Sequence, residues 1–402
     1  MDVALTIRQF NLGRDPERLA LKFAKMRASP FTFLRGTCHL FYQRLPVARV
    51  LEQPPRVCVC GDLHLENFGS YKGDNRLAYF DINDFDEAVL APCTWDLVRF
   101  LASVRLGMAE LKVEASGIAR LCQVFLDAYA NALAAGKARW LERETSEGLI
   151  GELLHAIGSR SRPEFLDLRT QRKGKRRMIR IDGRKALPAS DKQRQQVTAF
   201  MEEFAARQEQ PDFFRILDLA RRIAGTGSLG VERYAILVQG RGSPDGNFLF
   251  DLKQALPSSL LPYLKLTQPK WNSEADRVVA VQRRVQAVSM AFLQPVAMGK
   301  QAYILRALQP SEDRVALDHW NGKIARLESV MASMGEVLAW GHLRSGGRDG
   351  SAIADELIEF GAKSKWKSRV AQIADQCAEQ VRRDWVTYAQ AYDAGYFTSG
   401  PI

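Results

Sequence analysis

The sequence predicts an α+β protein in two lobes, a small antiparallel β-lobe and a larger helical one. At 402 residues, with 46% hydrophobic and 26% charged content, the chain can bury a sizeable core and is long enough for more than one domain-sized unit. Apolar residues recur at helical spacing across 95–158 and again from Ser311 onward. In the second half the period changes to two, so that 223–230, 234–238 and 248–253 read as three consecutive strands.

In chain order, residues 13–56 read as an amphipathic helical lead-in, anchored by Phe23, Met26 and 31–34 around a break at Ser29-Pro30. Residues 57–60 and 77–80 are short β-prone runs, with turn chemistry at 72–75 between them. The helical stretch that follows places Leu97, Phe100, Leu101 and Val104, then Ile118, Leu121, Cys122, Phe125 and Leu126, on core-facing stripes. Residues 178–187, with Asp182-Gly183 inside, suggest a hairpin in a flexible or inserted stretch. Helices at 193–208 and 274–293, a strand at 303–308 and two long terminal helices complete the reading. The expected division is 1–56 as lead-in, 57–212 as a helical part with the catalytic and metal loops, 213–308 as the β-rich part, and 309–402 as closing helices.

The net charge of +11 is concentrated, because 159–194 hold thirteen Lys/Arg against four acids. The six cysteines show neither a CxxC pair nor zinc spacing, so neither a disulfide framework nor a structural metal is indicated, and a reducing cytoplasm fits best. The start of the chain lacks a basic segment followed by an apolar core, and no uncharged apolar run reaches the roughly 18 residues of a membrane helix. The expectation is a soluble cytoplasmic protein without membrane association.

Chemistry concentrates in two acidic loops and one glycine loop. Gly61-Asp62-Leu63-His64-Leu65-Glu66-Asn67 places a carboxylate five residues before an amide, directly after a strand. In phosphoryl transfer an Asp accepts or orients the acceptor hydroxyl proton and an Asn oxygen helps hold Mg²⁺; Asp62 and Asn67 fit those roles. Asp81, Asp84, Asp86 and Glu87 crowd four carboxylates into seven residues, which is costly without a cation, although such clusters are as often turn residues and helix caps. Gly225-Thr226-Gly227-Ser228-Leu229-Gly230 is followed by a strand rather than a helix, so the amides of 226–229 would face nucleotide phosphates as in a kinase hairpin, not a dinucleotide fold.

GDLHLEN, then NDFDEA, then Thr94-Trp95-Asp96-Leu97 resemble the HGDxxxxN, IDFxxA and WDLA motifs of the aminoglycoside phosphotransferase and choline kinase branch of the protein-kinase-like fold. That resemblance implies Asp62 as catalytic base, Asn67 and Asp84 as Mg²⁺ ligands, and Asp96 as a buried structural carboxylate. It also implies Lys253 as the lysine on the α/β-phosphates, with Glu274 the nearest carboxylate to hold it, or else a first-turn acid. The family's usual His before Gly-Asp is Cys60 here, for which His64 is the available substitute. Asp62 and Asp84 precede Gly225 and Lys253, the reverse of the kinase order, so the implied architecture is a circularly permuted, two-lobed kinase-like fold binding ATP or another nucleoside triphosphate with Mg²⁺.

The arrangement closely resembles the bacterial DUF2252 family, which shares KMxxSPFxFxRG at 25–36, GDxHLENFG at 61–69, FDxNDFDE at 80–87, GTGSLG at 225–230 and a late Lys-containing strand. Arg35, within the first of these, is either a phosphate or substrate contact or, more commonly for such a residue, an exposed structural arginine. The phosphoryl acceptor is open: a small molecule or a protein, anionic ones included.

Other readings compete. GDLH resembles the first motif of calcineurin-like phosphoesterases, but the further GNH and His ligands of a two-metal site are missing from the five histidines present. A nucleotide-binding pseudokinase or AMP-transferase would keep the fold and change the reaction. A basic nucleic-acid-binding protein would use 159–194, where Phe165 is the single aromatic residue.

Overall fold

Two prolines punctuate the start of the chain. Pro16 and Pro30 occupy first turns of the helices Pro16–Ala28 and Pro30–Gly36, where a missing N–H costs nothing. Asp15 and Ser29 cap these helices, accepting from the amides of Arg18 at 2.9 Å and Thr32 at 3.2 Å. The computed structural model describes residues 2–309 and 313–397, so the expected helical start at Ser311 lies outside the described residues. The architecture is α+β with small antiparallel sheets.

The first strands are β1 (Arg56–Val59), β2 (Phe68–Lys72), β3 (Ala78–Ile82) and β4 (Val89–Pro92). β1 pairs with β4, and β2 pairs with β3 across the turn chemistry at 72–75. The edge strand β5 (Leu141–Glu142) joins β3. Next comes the helix Thr94–Glu110, buried at every residue from Thr94 to Val104, the condition of a helix enclosed on all sides. Ala115–Ala135 and Lys365–Asp393 pack on it, Ile324–Ser345 packs on Ala115–Ala135, and a single apolar cluster runs through all four.

The basic segment does not form a hairpin at 178–187. Its hairpin is β6 (Thr170–Lys173) with β7 (Arg176–Ile179), turning at Gly174, whose φ is +58°. Asp182 instead accepts from the amides of Arg184 and Lys185 at 2.9 and 2.7 Å, a turn that delivers β8 (Ala186–Leu187) to a larger sheet. Nor is the segment a loose insertion, since Leu166 and Ile179 pack on Ala220, Ala235, Leu237 and Leu249 of that sheet.

The larger sheet adds β9 (Ile216–Arg222), β10 (Arg233–Val238), β11 (Phe248–Gln254), β12 (Gln294–Met298) and β13 (Gln301–Ala307), in the antiparallel order β12-β13-β11-β10-β9-β8. Alternation divides its faces. Leu219, Tyr234, Ile236, Phe250, Leu252, Tyr303 and Leu305 pack with Val197, Met201 and Phe204 of the helix Asp191–Ala206. The opposite face turns polar at one end, where Arg233 pairs in register with Lys253 and Asp251 with Arg306.

Two expected boundaries move. Residues 223–230 form the loop between β9 and β10 and not a strand, because Gly225 and Gly230 take φ of +77° and +89°. The helix expected at 274–293 is Glu274–Val285, stopped where Gln286 turns extended and donates to Ile82 O at 2.7 Å. Among the described residues, no helix is long and apolar enough to cross a membrane.

Candidate functional site

Residues 60–67 leave β1 and are set by one stripe of the buried helix Thr94–Glu110. Asp96, Arg99 and Ser103, at helix positions i, i+3 and i+7, are its polar members. Asp96 accepts from the amides of Cys60 and Gly61 at 2.9 and 3.0 Å. Arg99 donates to Asp62 Oδ1, and Ser103 Oγ accepts from the Leu65 amide at 3.2 Å. Gly61 has φ +81° and a Cβ there would lie 2.4 Å from Glu87 O, so the turn admits no side chain.

Asp96 is therefore a fully buried structural carboxylate. His64 does not replace the histidine missing at Cys60: its Nδ1 accepts from the Glu66 amide at 3.2 Å and caps the short turn Leu65–Asn67. Loop orientation comes from Asp96 and from the Tyr42 hydroxyl, which donates to Gly61 O at 2.5 Å. Behind Asp96, His342 Nε2 stands 3.7 Å from Oδ2 while its Nδ1 meets the Tyr129 hydroxyl at 2.9 Å.

Burial pushes the Asp62 carboxyl up to about 6, more than the Arg99 guanidinium pulls it down. Asn67 donates from its amide nitrogen to Asp62 O at 2.7 Å. The second acidic loop divides by role. Asp81 is buried and structural, accepting from the amides of Ile82 and Ala287 at 2.8 and 3.2 Å and meeting Arg344 at 3.3 Å. Glu87 latches the loop to the chain beyond β11 by accepting from the Ser259 amide at 2.6 Å and the Ser258 hydroxyl at 3.1 Å.

Asp84 and Asp86 face the buried Lys253 ammonium, Asp84 at 3.7 Å and Asp86 in direct contact. Burial alone would raise the Asp84 carboxyl; Lys253, with Arg306 and Arg233, holds it below its ordinary value. Glu274 does not hold Lys253. Its carboxylate pairs with Arg277 at 2.6 Å, one turn along its own helix, and Arg277 also donates to Asp86 O and Leu256 O at 2.9 Å each. The acids beside Lys253 come from the acidic loop, which already supplies what the helix was expected to bring.

A cavity of about 670 Å³ is lined by Asp62, Asn67, Asp84 and Asp86 and by Gly225, Thr226, Gly227, Ser228 and Gly230, while Lys253 lies outside its lining. Leu229 is not part of the lining; its side chain packs with Leu187 and Ile223 and its amide donates to Thr226 O at 3.3 Å. Gly227 approaches the 61–67 loop so closely that a Cβ would lie 3.0 Å from Arg35 O and 3.8 Å from Asp62 Oδ2. Its carbonyl accepts from both Arg14 and Lys22 at 2.9 Å.

Arg35 is buried, not exposed, and pairs with Glu66 at 2.8 Å, as does Arg314. Sequence reasoning missed Arg99, Ser103, Arg14, Lys22 and Arg314. For the first two a signal existed, since polar residues at i+3 and i+7 from Asp96 interrupt an otherwise apolar helix. It also missed a buried cluster on the sheet beside Lys253. There Asp251 binds Arg233 through both carboxylate oxygens at 2.7 and 2.6 Å and meets Arg222 at 2.9 Å and Arg306 at 3.4 Å.

Among the described residues no three His, Cys, Asp or Glu side chains gather in a metal-holding group. The donors at hand, the Asp84 and Asp86 carboxylates and the Asn67 amide, are hard oxygen ligands of the kind Mg²⁺ takes while keeping several waters. Lys253 supplies the positive charge between the Asp84 and Asp86 carboxylates. No curated protein and no solved structure matches the chain. The model of the family described as an uncharacterized protein conserved in bacteria (DUF2252) matches residues 14–391. The chain belongs to the DUF2252 family.

Proposed function

We propose that the protein is a kinase-like phosphotransferase, circularly permuted and two-lobed, that uses a nucleoside triphosphate with Mg²⁺ to phosphorylate a hydroxyl-bearing acceptor. The observation that carries this is the single cavity uniting Asp62, Asn67 and Asp84 with a glycine loop more than 130 residues further along the chain. A loop of glycine amides, a buried lysine and oxygen ligands beside a tuned carboxylate form the recurring set for phosphoryl transfer.

In this reading Asn67 and Asp84 would hold Mg²⁺, which would supply neutralising charge to the phosphates. The amides of Thr226, Gly227 and Ser228 bind phosphate oxygens, and Lys253, relieved of part of its pairing with Asp84 and Asp86, adds a cation. Asp62 is ionised above about pH 6 and accepts or orients the acceptor hydroxyl proton. Arg99 and Asp96 fix its position from behind.

A second reading, transfer of AMP, draws on the sheet face beside Lys253. Arg222, Arg233, Asp251 and Arg306 occupy its polar end, and Leu166 and Ile179 pack on its apolar part. Such a face favours a nucleotide held by its phosphates in another orientation. Incubation with ATP labelled at either the γ- or the α-phosphate separates the two readings. Label retained on product from the γ-position alone supports phosphoryl transfer; label from the α-position supports AMP transfer; Mg²⁺-nucleotide binding with neither would sink both as catalytic readings.

A further inference from the structure

The cavity has a second charged wall that the nucleotide does not need. Glu66, one residue before Asn67, pairs with Arg35 at 2.8 Å and with Arg314. Lys25 stands close enough for Arg35 and Arg314 to repel its charge and Glu66 to attract it. Glu66 thus pairs with two arginines and is itself about one-third exposed, while Asp62 and Glu110 also act on Arg35. Glu110, the next acid, accepts from the Phe31 amide at 3.1 Å. Arg35 Nε is buried and has no hydrogen-bond partner among the described residues.

Like charges gathered this way are costly unless an anion shares them. Arg35 and Arg314 both line the cavity with Asp62. Lys253 pairs with two carboxylates, Asp84 and Asp86, whereas the two arginines Arg35 and Arg314 share one ion-pair partner, Glu66. Asp62 interacts with both groups, with Asp84 raising its carboxyl and its own charge acting on Arg35. A ligand held by Arg35 and Arg314 would therefore lie beside the base and apart from the lysine.

We propose that Arg35 and Arg314 form an oxyanion subsite, so that the acceptor is a small hydroxyl compound bearing a phosphate monoester or a carboxylate. A guanidinium fork suits either group. The assignment as acceptor rests on Asp62 serving as the base for transfer, but the anion site can be tested without nucleotide.

The test is a thermal-shift titration of the full chain with glycerol 3-phosphate, glycerate, glycerol and ethanolamine, on wild type and on Arg314→Ala, Glu66→Gln and Lys253→Ala. Glycerol 3-phosphate or glycerate stabilises the wild type, and glycerol and ethanolamine do not. Arg314→Ala weakens the effect at least about tenfold, the size of one charge-assisted hydrogen bond. Glu66→Gln, which removes the competing carboxylate, strengthens it. Lys253→Ala leaves it in place.

An equal response in wild type and Arg314→Ala overturns the proposal, as does the absence of any response to both anions. An anion effect lost in Lys253→Ala and kept in Arg314→Ala puts the anion at the glycine loop and overturns it too. Loss of Mg²⁺-dependent nucleotide binding, with the anion effect intact, would count against phosphotransfer and leave the subsite standing.

Discussion

Arg99 donates twice to the same oxygen of Asp62, from Nε at 3.0 Å and from a terminal nitrogen at 2.5 Å, while that terminal nitrogen also reaches Leu34 O at 2.8 Å. The guanidinium is completely buried, so the pair is a fixed arrangement and not a surface contact. One carboxylate oxygen is engaged with Arg99, and Oδ2 faces the glycine loop, 3.8 Å from where a Cβ on Gly227 would stand.

As the proposed base, Asp62 would give the reaction a defined pH signature. kcat/KM should rise with pH through about 6 and then level, because Asp62 must lose its proton to act. Arg99→Met removes the charge that pulls Asp62 down and moves the acid limb to higher pH. An unmoved limb would separate Asp62 from the rate-controlling ionisation.

Asp62→Asn should lower kcat by about 100-fold or more while nucleotide affinity changes little, since general-base catalysis contributes about 10²–10⁴. Paired steady-state kinetics and nucleotide titration check this. A parallel loss of binding would make Asp62 a ligand-holding residue.

Lys253→Ala should weaken Mg²⁺-dependent ATP binding by about 10- to 100-fold, the range for losing a charged hydrogen bond. Thermal-shift titration with ATP, ADP and GTP, with and without Mg²⁺, reads it directly. Nucleotide affinity equal to wild type would remove Lys253 from the site.

Asp251→Asn leaves Arg222, Arg233 and Arg306 buried without their carboxylate and should cost about 3–5 kcal/mol in urea unfolding. Burial alone would raise the Asp251 carboxyl, but the three arginines hold it well below its ordinary value of 3.8. Its contribution is therefore complete above the unfolded value and is lost as pH falls through the lower folded one. Wild type should lose stability below about pH 4 more steeply than Asp251→Asn.

Gly61→Ala should destabilise by about 2–4 kcal/mol, because a positive φ and a contact with Glu87 O penalise any side chain together. Gly227→Ala meets Arg35 O at 3.0 Å and Asp62 Oδ2 at 3.8 Å, with no positive φ to add strain, and should act on nucleotide affinity more than on unfolding. Equal stability losses in the two variants would contradict this division.

Much of the site was legible because its residues belong to short local patterns. Asp62 to Asn67, Asp84 to Asp96 and the glycine loop are each set by spacing along one turn or one strand exit. Glu274 failed because the partner of Lys253 depends on which of two nearby acid sources the fold brings closer, which spacing does not encode. The hairpin at 178–187 failed because Asp182 uses its carboxylate on the amides of Arg184 and Lys185, and the hairpin forms instead across Gly174. Arg14, Lys22 and Arg314 were invisible for a simpler reason, since their partners lie hundreds of residues away.

The two hydrogen bonds donated by Arg14 and Lys22 to Gly227 O, with the Asp15 amide donating to Gly230 O at 2.9 Å, give the glycine loop a third point of attachment beyond its two strands. Flaps joined only at their ends lose considerable freedom when they close over a ligand. Here much of that freedom is already gone in the folded chain. Phosphate association should therefore carry a small entropic penalty, and the rate at which ligand enters should be governed by movement of the helix Pro16–Ala28 and not by the hairpin itself.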